Sequence, residues 1–205
     1  VASRRLGDVY KRQSYDDGSF SIDKDYYDID LEGTIQPQSS TVIIDHANGQ
    51  IKAIMGGRDQ KGMRILDRAS SVPRQPGSSI KPIATYTPAL DNGFNLATGV
   101  DDVPQMLNED NKPWPNNVYE YYMGVKPIRE AIKMSSNTIA VSTLDQIGID
   151  TSLKYLKNFG IIKDNGFDNF VSSDEDKEIN DENLAALCLG AMTRGLTALD
   201  MTGAY

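Results

Sequence analysis

The chain has 205 residues, a formal net charge of −8 and a sequence pI of about 4.7, enough for one core or one domain plus part of a neighbour. No basic patch is interleaved with aromatics, which argues against nucleic-acid binding. No run approaches the ~20 apolar residues of a membrane span, and the single cysteine, Cys188, can form no intrachain disulfide.

Val1 to Gln13 shows no apolar periodicity and carries Arg4, Arg5, Lys11 and Arg12 within an otherwise acidic chain. It reads as a non-native, adapter-like tail, with a native basic linker as the alternative, and is set aside from fold reasoning. Residues 14–35 are polar and rich in Tyr and Asp, a linker or the end of a preceding region. Asp28 to Gly33 begins like a calcium loop, but Glu32 and Ser39 occupy its fifth and twelfth positions, so a solvated stretch is the better reading.

Residues 36–205 read as α/β. Thr41 to Asp45 and Gln50 to Gly57 form a hairpin around the Asn48-Gly49 turn signal. The Gly56-Gly57 pair lacks the Gly-Lys-Ser/Thr of a phosphate loop and ends a strand. A helix is predicted from Ser78 to Leu90, stopping before Asn92-Gly93. Asp101 to Tyr122 is loop-like and holds the lone Trp114. Further helices are predicted at Val125 to Ser135, Asn137 to Ile147, Thr151 to Phe159 and Asn183 to Ala191. Cys188 falls in the apolar run Leu184 to Leu189 and reads as core. Asp164 to Asp181 is predicted to be an acidic, solvent-facing loop. The helical pattern from Thr197 to Tyr205 turns Leu199, Met201 and Tyr205 inward. Nothing in it stops the helix, so the chain is expected to be a fragment.

Chemistry is concentrated in two short elements. Pro76-Gly77-Ser78-Ser79-Ile80-Lys81-Pro82 sets a serine and a lysine one helical turn apart, so the amine could come within reach of the hydroxyl and take its proton. A serine at a helix start would also sit among unpaired N–H groups that favour an oxyanion. Alone, this S-x-x-K is a weak signal, better read as a helix-cap serine followed by a solvated lysine. The second element, Ser135-Ser136-Asn137, adds a hydroxyl and a carboxamide in S-x-N order, the companion set of serine acyltransfer enzymes. His46, the only histidine, lies in the hairpin turn and suits neither a triad nor a metal site.

With these elements, the run Arg68 to Pro82 resembles the nucleophile segment of the penicillin-binding protein transpeptidase domain, especially the bifunctional class A type. The similarity extends through the hairpin, Trp114-Pro115-Asn116-Asn117, Gly124 to Ala131 and Leu189-Gly190 through Gly195-Leu196-Thr197, covering about residues 36–205. It implies a β-lactamase/transpeptidase-like fold, here incomplete: an opening hairpin and a helical subdomain, with the later sheet strands missing. It also implies a peptidoglycan D,D-transpeptidase that cross-links stem peptides through a serine acyl-enzyme. Ser78 would be the nucleophile, Lys81 its base, Ser135 a proton relay and Asn137 the holder of the substrate amide; Trp114 would line the groove or pin its loop to the core. β-Lactams would acylate Ser78. No cofactor or metal is implied, and the family works outside the cytoplasmic membrane, tethered by an upstream anchor.

The family's K-T-G is absent from this sequence; Met201-Thr202-Gly203 lacks the lysine. The chain by itself is therefore expected to react poorly. A β-lactamase or β-lactam-sensing domain of the same superfamily and a noncatalytic wall-binding module are the alternatives.

Overall fold

The computed structural model describes residues 12–14, 20–22, 37–60, 65–108, 110–119, 121–163 and 169–205. The chain divides into two compact units, residues 1–38 and 39–205. In the first, β1 (Arg12–Ser14) pairs antiparallel with β2 (Phe20–Ile22), running across the boundary drawn after Gln13. Residues 1–11 of the expected tail and the calcium-like run at 28–33 lie outside the described residues.

The second unit begins with the expected hairpin, β3 (Thr41–Asp45) and β4 (Gln50–Met55). Asp45 closes it: its carbonyl accepts from the N–H groups of Asn48 and Gly49, and its carboxylate from Ala47 N–H and Asn48. A bulge between Ile43 and Ile44 shifts the register. The short helix α1 (Arg68–Ser71), capped by Asp67, then leads to the segment that carries Ser78.

That segment is not the single α-helix predicted for Ser78 to Leu90. Gly77–Ile80 forms a 3₁₀ turn, Pro82–Tyr86 a π-helical turn, and only α2 (Thr87–Asp91) is α-helical. Two prolines account for the change, because each removes an N–H from the ladder. Pro82 cannot donate to Ser78, whose carbonyl instead accepts from Lys81 N–H, and the next bond runs from Thr87 N–H to the Pro82 carbonyl. Pro88 withholds the donor that Ala84 would receive, and Ser152 Oγ supplies it at 2.6 Å.

The predicted loop from Asp101 to Tyr122 contains β5 (Gly99–Asp102) at its start and a ribbon of β6 (Met106–Leu107) and β7 (Pro113–Trp114). The helix predicted from Val125 begins only at Ile128, since Gly124–Pro127 is β8, antiparallel to β5. Pro127, extended at φ −68° and ψ 149°, marks the switch into α3 (Ile128–Met134). After α3 come α4 (Asn137–Ile147), α5 (Ile149–Asn158), α6 (Leu184–Leu189) and α7 (Ala198–Ala204).

Helix α4 is the centre of the core. Thr138, Ile139, Ala140, Val141, Thr143 and Leu144 are all buried, and a helix apolar around most of its girth must be packed on several sides. It touches α5, α6, β5 and the Pro82–Tyr86 turn. Ile80, Ile83 and Ala84 join the same core, with Leu156 from α5 and Leu187 and Cys188 from α6, so Cys188 is the core residue expected. Two burial assignments change, one in each direction. Tyr205 is 71% exposed and donates its hydroxyl to the Ser79 carbonyl at 2.8 Å, while Met201 and Ala204 pack on the core. The acidic stretch is not all solvent-facing either: Asp181 is fully buried and accepts from Val171 N–H and Thr193 N–H. Among the described residues no helix is long and apolar enough to cross a membrane.

Two glycines hold the serine segment against the chain that follows α6. Arg74 and Leu196 exchange N–H···O bonds of 2.9 and 2.8 Å, and Gln75 donates to the Met192 carbonyl. Gly190, the left-handed cap of α6, lies so close to Gly77 that an added Cβ would stand 2.7 Å from its Cα and nearer still to its N and O. Gly195 meets the Arg74 backbone in the same way. Backbone cannot swing aside as a side chain can. Gly190→Ala is therefore expected to lower stability by about 2–4 kcal/mol, combining left-handed strain with overpacking. Gly160→Ala, also at positive φ but with open space around it, should cost about 1–2 kcal/mol. Thermal or denaturant unfolding of the two variants measures the difference, and equal losses would dismiss the close-approach explanation.

Candidate active site

The 3₁₀ turn carries Ser78 and leaves it solvent-exposed, while Lys81, at the junction of the 3₁₀ and π turns, is 2% exposed. The intervening Ile80 is fully buried and anchors the turn. Ser79 Oγ donates to the Pro76 carbonyl at 2.6 Å, tying the turn to its own entry.

The Lys81 amine points to the junction of α3 and α4. Nζ donates to the Ser135 carbonyl at 2.7 Å, to Ser135 Oγ at 3.2 Å and to Asn137 Oδ1 at 2.6 Å. These three bonds match the donor capacity of an ammonium, and no hydrogen bond joins Lys81 to Ser78, contrary to the contact anticipated from their spacing. The backbone explains this direction. Ser135 caps α3 in the left-handed region at φ 53°, a costly conformation for a residue with a side chain, and this turn presents its carbonyl and hydroxyl to the same amine. Asn137 opens α4 one residue after the buried N-cap Ser136.

Burial depresses the Lys81 pKa to about 8. Burial pushes the Cys188 thiol up to about 12, so at neutral pH it is an uncharged neighbour. Among the described residues no carboxylate pairs with Lys81. With the pKa near 8, roughly a tenth of the amine is free at pH 7, against well under a thousandth at the ordinary lysine value.

A buried carboxylate that sequence reasoning missed lies on the other side of the same turn. Asp102, the last residue of β5, is 0% exposed and shares the inward face of its strand with Val100. It accepts from Thr138 Oγ1, from Asn117 Nδ2 at 2.7 Å, from Met123 N–H at 2.8 Å, from Ser136 Oγ at 3.2 Å and from Tyr119 OH at 3.3 Å. Burial raises its pKa, but the bonds from Thr138, Met123, Asn117 and Ser136 together outweigh burial and hold it below the usual carboxylate value. Asn117 continues the connection: its Oδ1 accepts from Asn137 N–H at 2.8 Å and Thr138 N–H at 3.3 Å, while Asn137 Nδ2 donates to the Asn116 carbonyl at 2.7 Å. The readable signals were the alternation Val100-x-Asp102 and the polar pair Ser136 and Thr138 beside an apolar run.

Lys81, Ser135 and Asn137 are thus joined by hydrogen bonds, and Ser78 lies one turn before the lysine. Trp114, the remaining candidate, is half-buried and packs against the hydrophobic core. The arrangement brings an amine of depressed pKa, a second hydroxyl and a carboxamide together, one turn along the chain from an exposed serine. These are the parts needed to deprotonate a nucleophile, pass a proton to a leaving group and hold an amide.

Comparison with known proteins identifies the family. The sequence profile of the penicillin binding protein transpeptidase domain matches residues 39–205. Penicillin-binding protein 1A of Clostridium botulinum (strain Langeland) is 37% identical over 182 residues, which cover 84% of this chain and 20% of that protein. The solved structure of penicillin-binding protein 1A from Haemophilus influenzae superposes with a TM-score of 0.65 at 26% identity, covering 95% of this chain and 25% of the other. That of PonA1 from Mycobacterium tuberculosis in complex with penicillin V gives 0.66 at 27% identity, over 83% of this chain and 44% of the other. With a partly helical, partly stranded fold shared with those structures and a family match across nearly the whole second unit, this chain belongs to the penicillin-binding protein transpeptidase family.

Proposed function

We propose that this chain carries the nucleophile and proton-transfer part of a peptidoglycan D,D-transpeptidase site, with Ser78, Lys81, Ser135 and Asn137 as its catalytic residues. The observation that carries the proposal is the buried Lys81 amine, held by Ser135 and Asn137 one turn from an exposed serine, with no carboxylate partner among the described residues. Ser78 Oγ attacks the carbonyl of the penultimate D-alanine of a stem peptide, and its proton passes to the free amine of Lys81. The C–N bond to the terminal D-alanine breaks, with Ser135 delivering a proton to the departing amine and taking that proton's replacement from Lys81, and an ester remains on Ser78. The amine of a neighbouring stem peptide attacks that ester, forming the cross-link and returning the proton to Ser78. Asn137 holds the substrate amide, and the family's K-T-G strand would complete the site on its open side. β-Lactams acylate Ser78 as mimics of the same substrate. The reaction is placed outside the cytoplasmic membrane, with anchoring supplied upstream, as the family resemblance implies. Residues 36–205 are the corresponding partial transpeptidase domain, and residues 14–35 a linker or the end of a preceding region.

Labelling of the intact protein with a fluorescent penicillin tests the assignment. Label should appear on the unaltered protein, persist, and be absent from Ser78→Ala; retained label in that variant would place the nucleophile elsewhere, and rapid release would indicate a β-lactamase. Lys81→Ala should slow acylation by roughly 10²- to 10⁴-fold.

The depressed lysine pKa has a definite sign in kinetics. The base is the unprotonated amine, so the acylation rate should rise with pH through a midpoint near 8 and level off above it. An ordinary exposed lysine would give a rise continuing beyond pH 10. A midpoint there, measured from acylation rates between pH 6 and 10.5, would contradict the role given to the buried amine.

A further inference from the structure

We infer that Asp102 and Asn117 are positioning residues for acyl transfer, which set the orientation of Asn137 and through it of the Lys81 amine. The inference rests on the acyl-transfer reading above and extends it to a carboxylate that touches none of the reacting groups.

The geometry is a relay of fixed hydrogen-bond polarity. An ionised carboxylate only accepts, so Asp102 can face Asn117 only through its amide nitrogen. That fixes the amide the other way round at its far end, and Asn117 Oδ1 is left to accept from Asn137 N–H and Thr138 N–H. With the Asn137 backbone held by Asn117 and its Nδ2 donating to the adjacent Asn116 carbonyl, Asn137 Oδ1 is turned toward Lys81 Nζ. Ser136 and Thr138 add their hydroxyls to the same carboxylate, so the residues flanking Asn137 are clamped as well. A neutral amide at position 102 would bring donors of its own and remove the reason for Asn117 to keep its orientation.

The consequence concerns rate rather than stability alone. If Asn137 loses its orientation, the ammonium loses an acceptor, so its pKa should fall further, and the amine should move from the path of the Ser78 proton. Misplacement of a reacting group by about 1 Å costs on the order of a hundredfold.

The test uses the intact protein and measures the first-order acylation constant at saturating fluorescent penicillin across pH. Only folded molecules contribute to this constant, so partial unfolding lowers the labelled fraction without altering it. Asn117 is half-buried, so Asn117→Ala keeps the test available should Asp102→Asn fail to fold. Both single variants are expected to acylate roughly tenfold to a hundredfold more slowly, with the pH midpoint moved below that of the unaltered protein. The exchange Asp102→Asn with Asn117→Asp keeps a donor–acceptor pair between the two positions and an acceptor facing Asn137 N–H, and it should recover most of the rate. Asn117→Ala acylating within about twofold of the unaltered protein, an unmoved midpoint in the single variants, or an exchange that restores the melting temperature without the rate would each overturn the inference. Ser78→Ala is run alongside: label on that variant refutes the acyl-transfer reading itself, whereas normal kinetics at 102 and 117 with an unlabelled Ser78→Ala refute only the relay.

Discussion

The candidate site is organised by the cost of burying a lysine amine. An ammonium withdrawn from water must find acceptors or give up its proton, and Lys81 does some of each. It has three acceptors at hydrogen-bond distance, yet its pKa is depressed to about 8 by the burial that those acceptors do not fully offset. Every acceptor comes from the three-residue junction between α3 and α4. This accounts for a left-handed serine at the end of α3: no right-handed continuation of the helix would aim the Ser135 carbonyl and hydroxyl at one point. The strain of that residue and the burial of the amine are two sides of one arrangement.

The serine depends on backbone packing instead. Pro82 and Pro88 break the helix that the sequence otherwise favours, leaving a 3₁₀ turn for Ser78 and a π turn after Lys81. Such a segment lacks a regular ladder to hold it, and the stiffness comes from outside: the Arg74–Leu196 bridge, the glycines at 190 and 195, and the Ser152 hydroxyl on the carbonyl that Pro88 orphaned. Leu189-Gly190 to Thr197 thereby acquires a physical purpose. Its two glycines permit backbone to lie against backbone just before Ser78, and its threonine caps α7 with a capping box.

Features governed by local chemistry were legible in the sequence, and those governed by tertiary contact were not. The hairpin at Asn48-Gly49, the α6 start at Asn183 and the apolar girth of α4 follow from turn, cap and period rules. Ser78, Lys81, Ser135 and Asn137 stood out as candidates because the S-x-x-K and S-x-N elements set those residue types in that order. The direction of Lys81 was not legible, since three-residue spacing is blind to an acceptor cluster 54 residues downstream. Val125 to Pro127 looked helical because its pairing with Gly99 to Asp102 is nonlocal. Asp181 was read with the solvated acids, and Asp102 was passed over within a loop-like run, for a related reason. A buried carboxylate is identified by donors that converge from distant segments, and neither aspartate has those donors beside it in sequence.

The two buried charges, Lys81 and Asp102, divide one tetrapeptide between them. Ser135 and Asn137 serve the lysine, while Ser136 and Thr138 serve the aspartate. The charges do not pair directly, although opposite charges drawn into one region would normally be expected to. A direct pair would favour the ammonium and raise the lysine pKa, removing the free amine that a base must supply. Interposing neutral hydroxyls and amides lets each charge be satisfied without stabilising the other. The carboxylate, surrounded by donors, stays ionised and fixes the polarity of its neighbours; the amine, surrounded by acceptors it can release, remains able to lose its proton. Separating the charges by one turn of backbone therefore gives the site a rigid anion and a titratable cation from the same four residues.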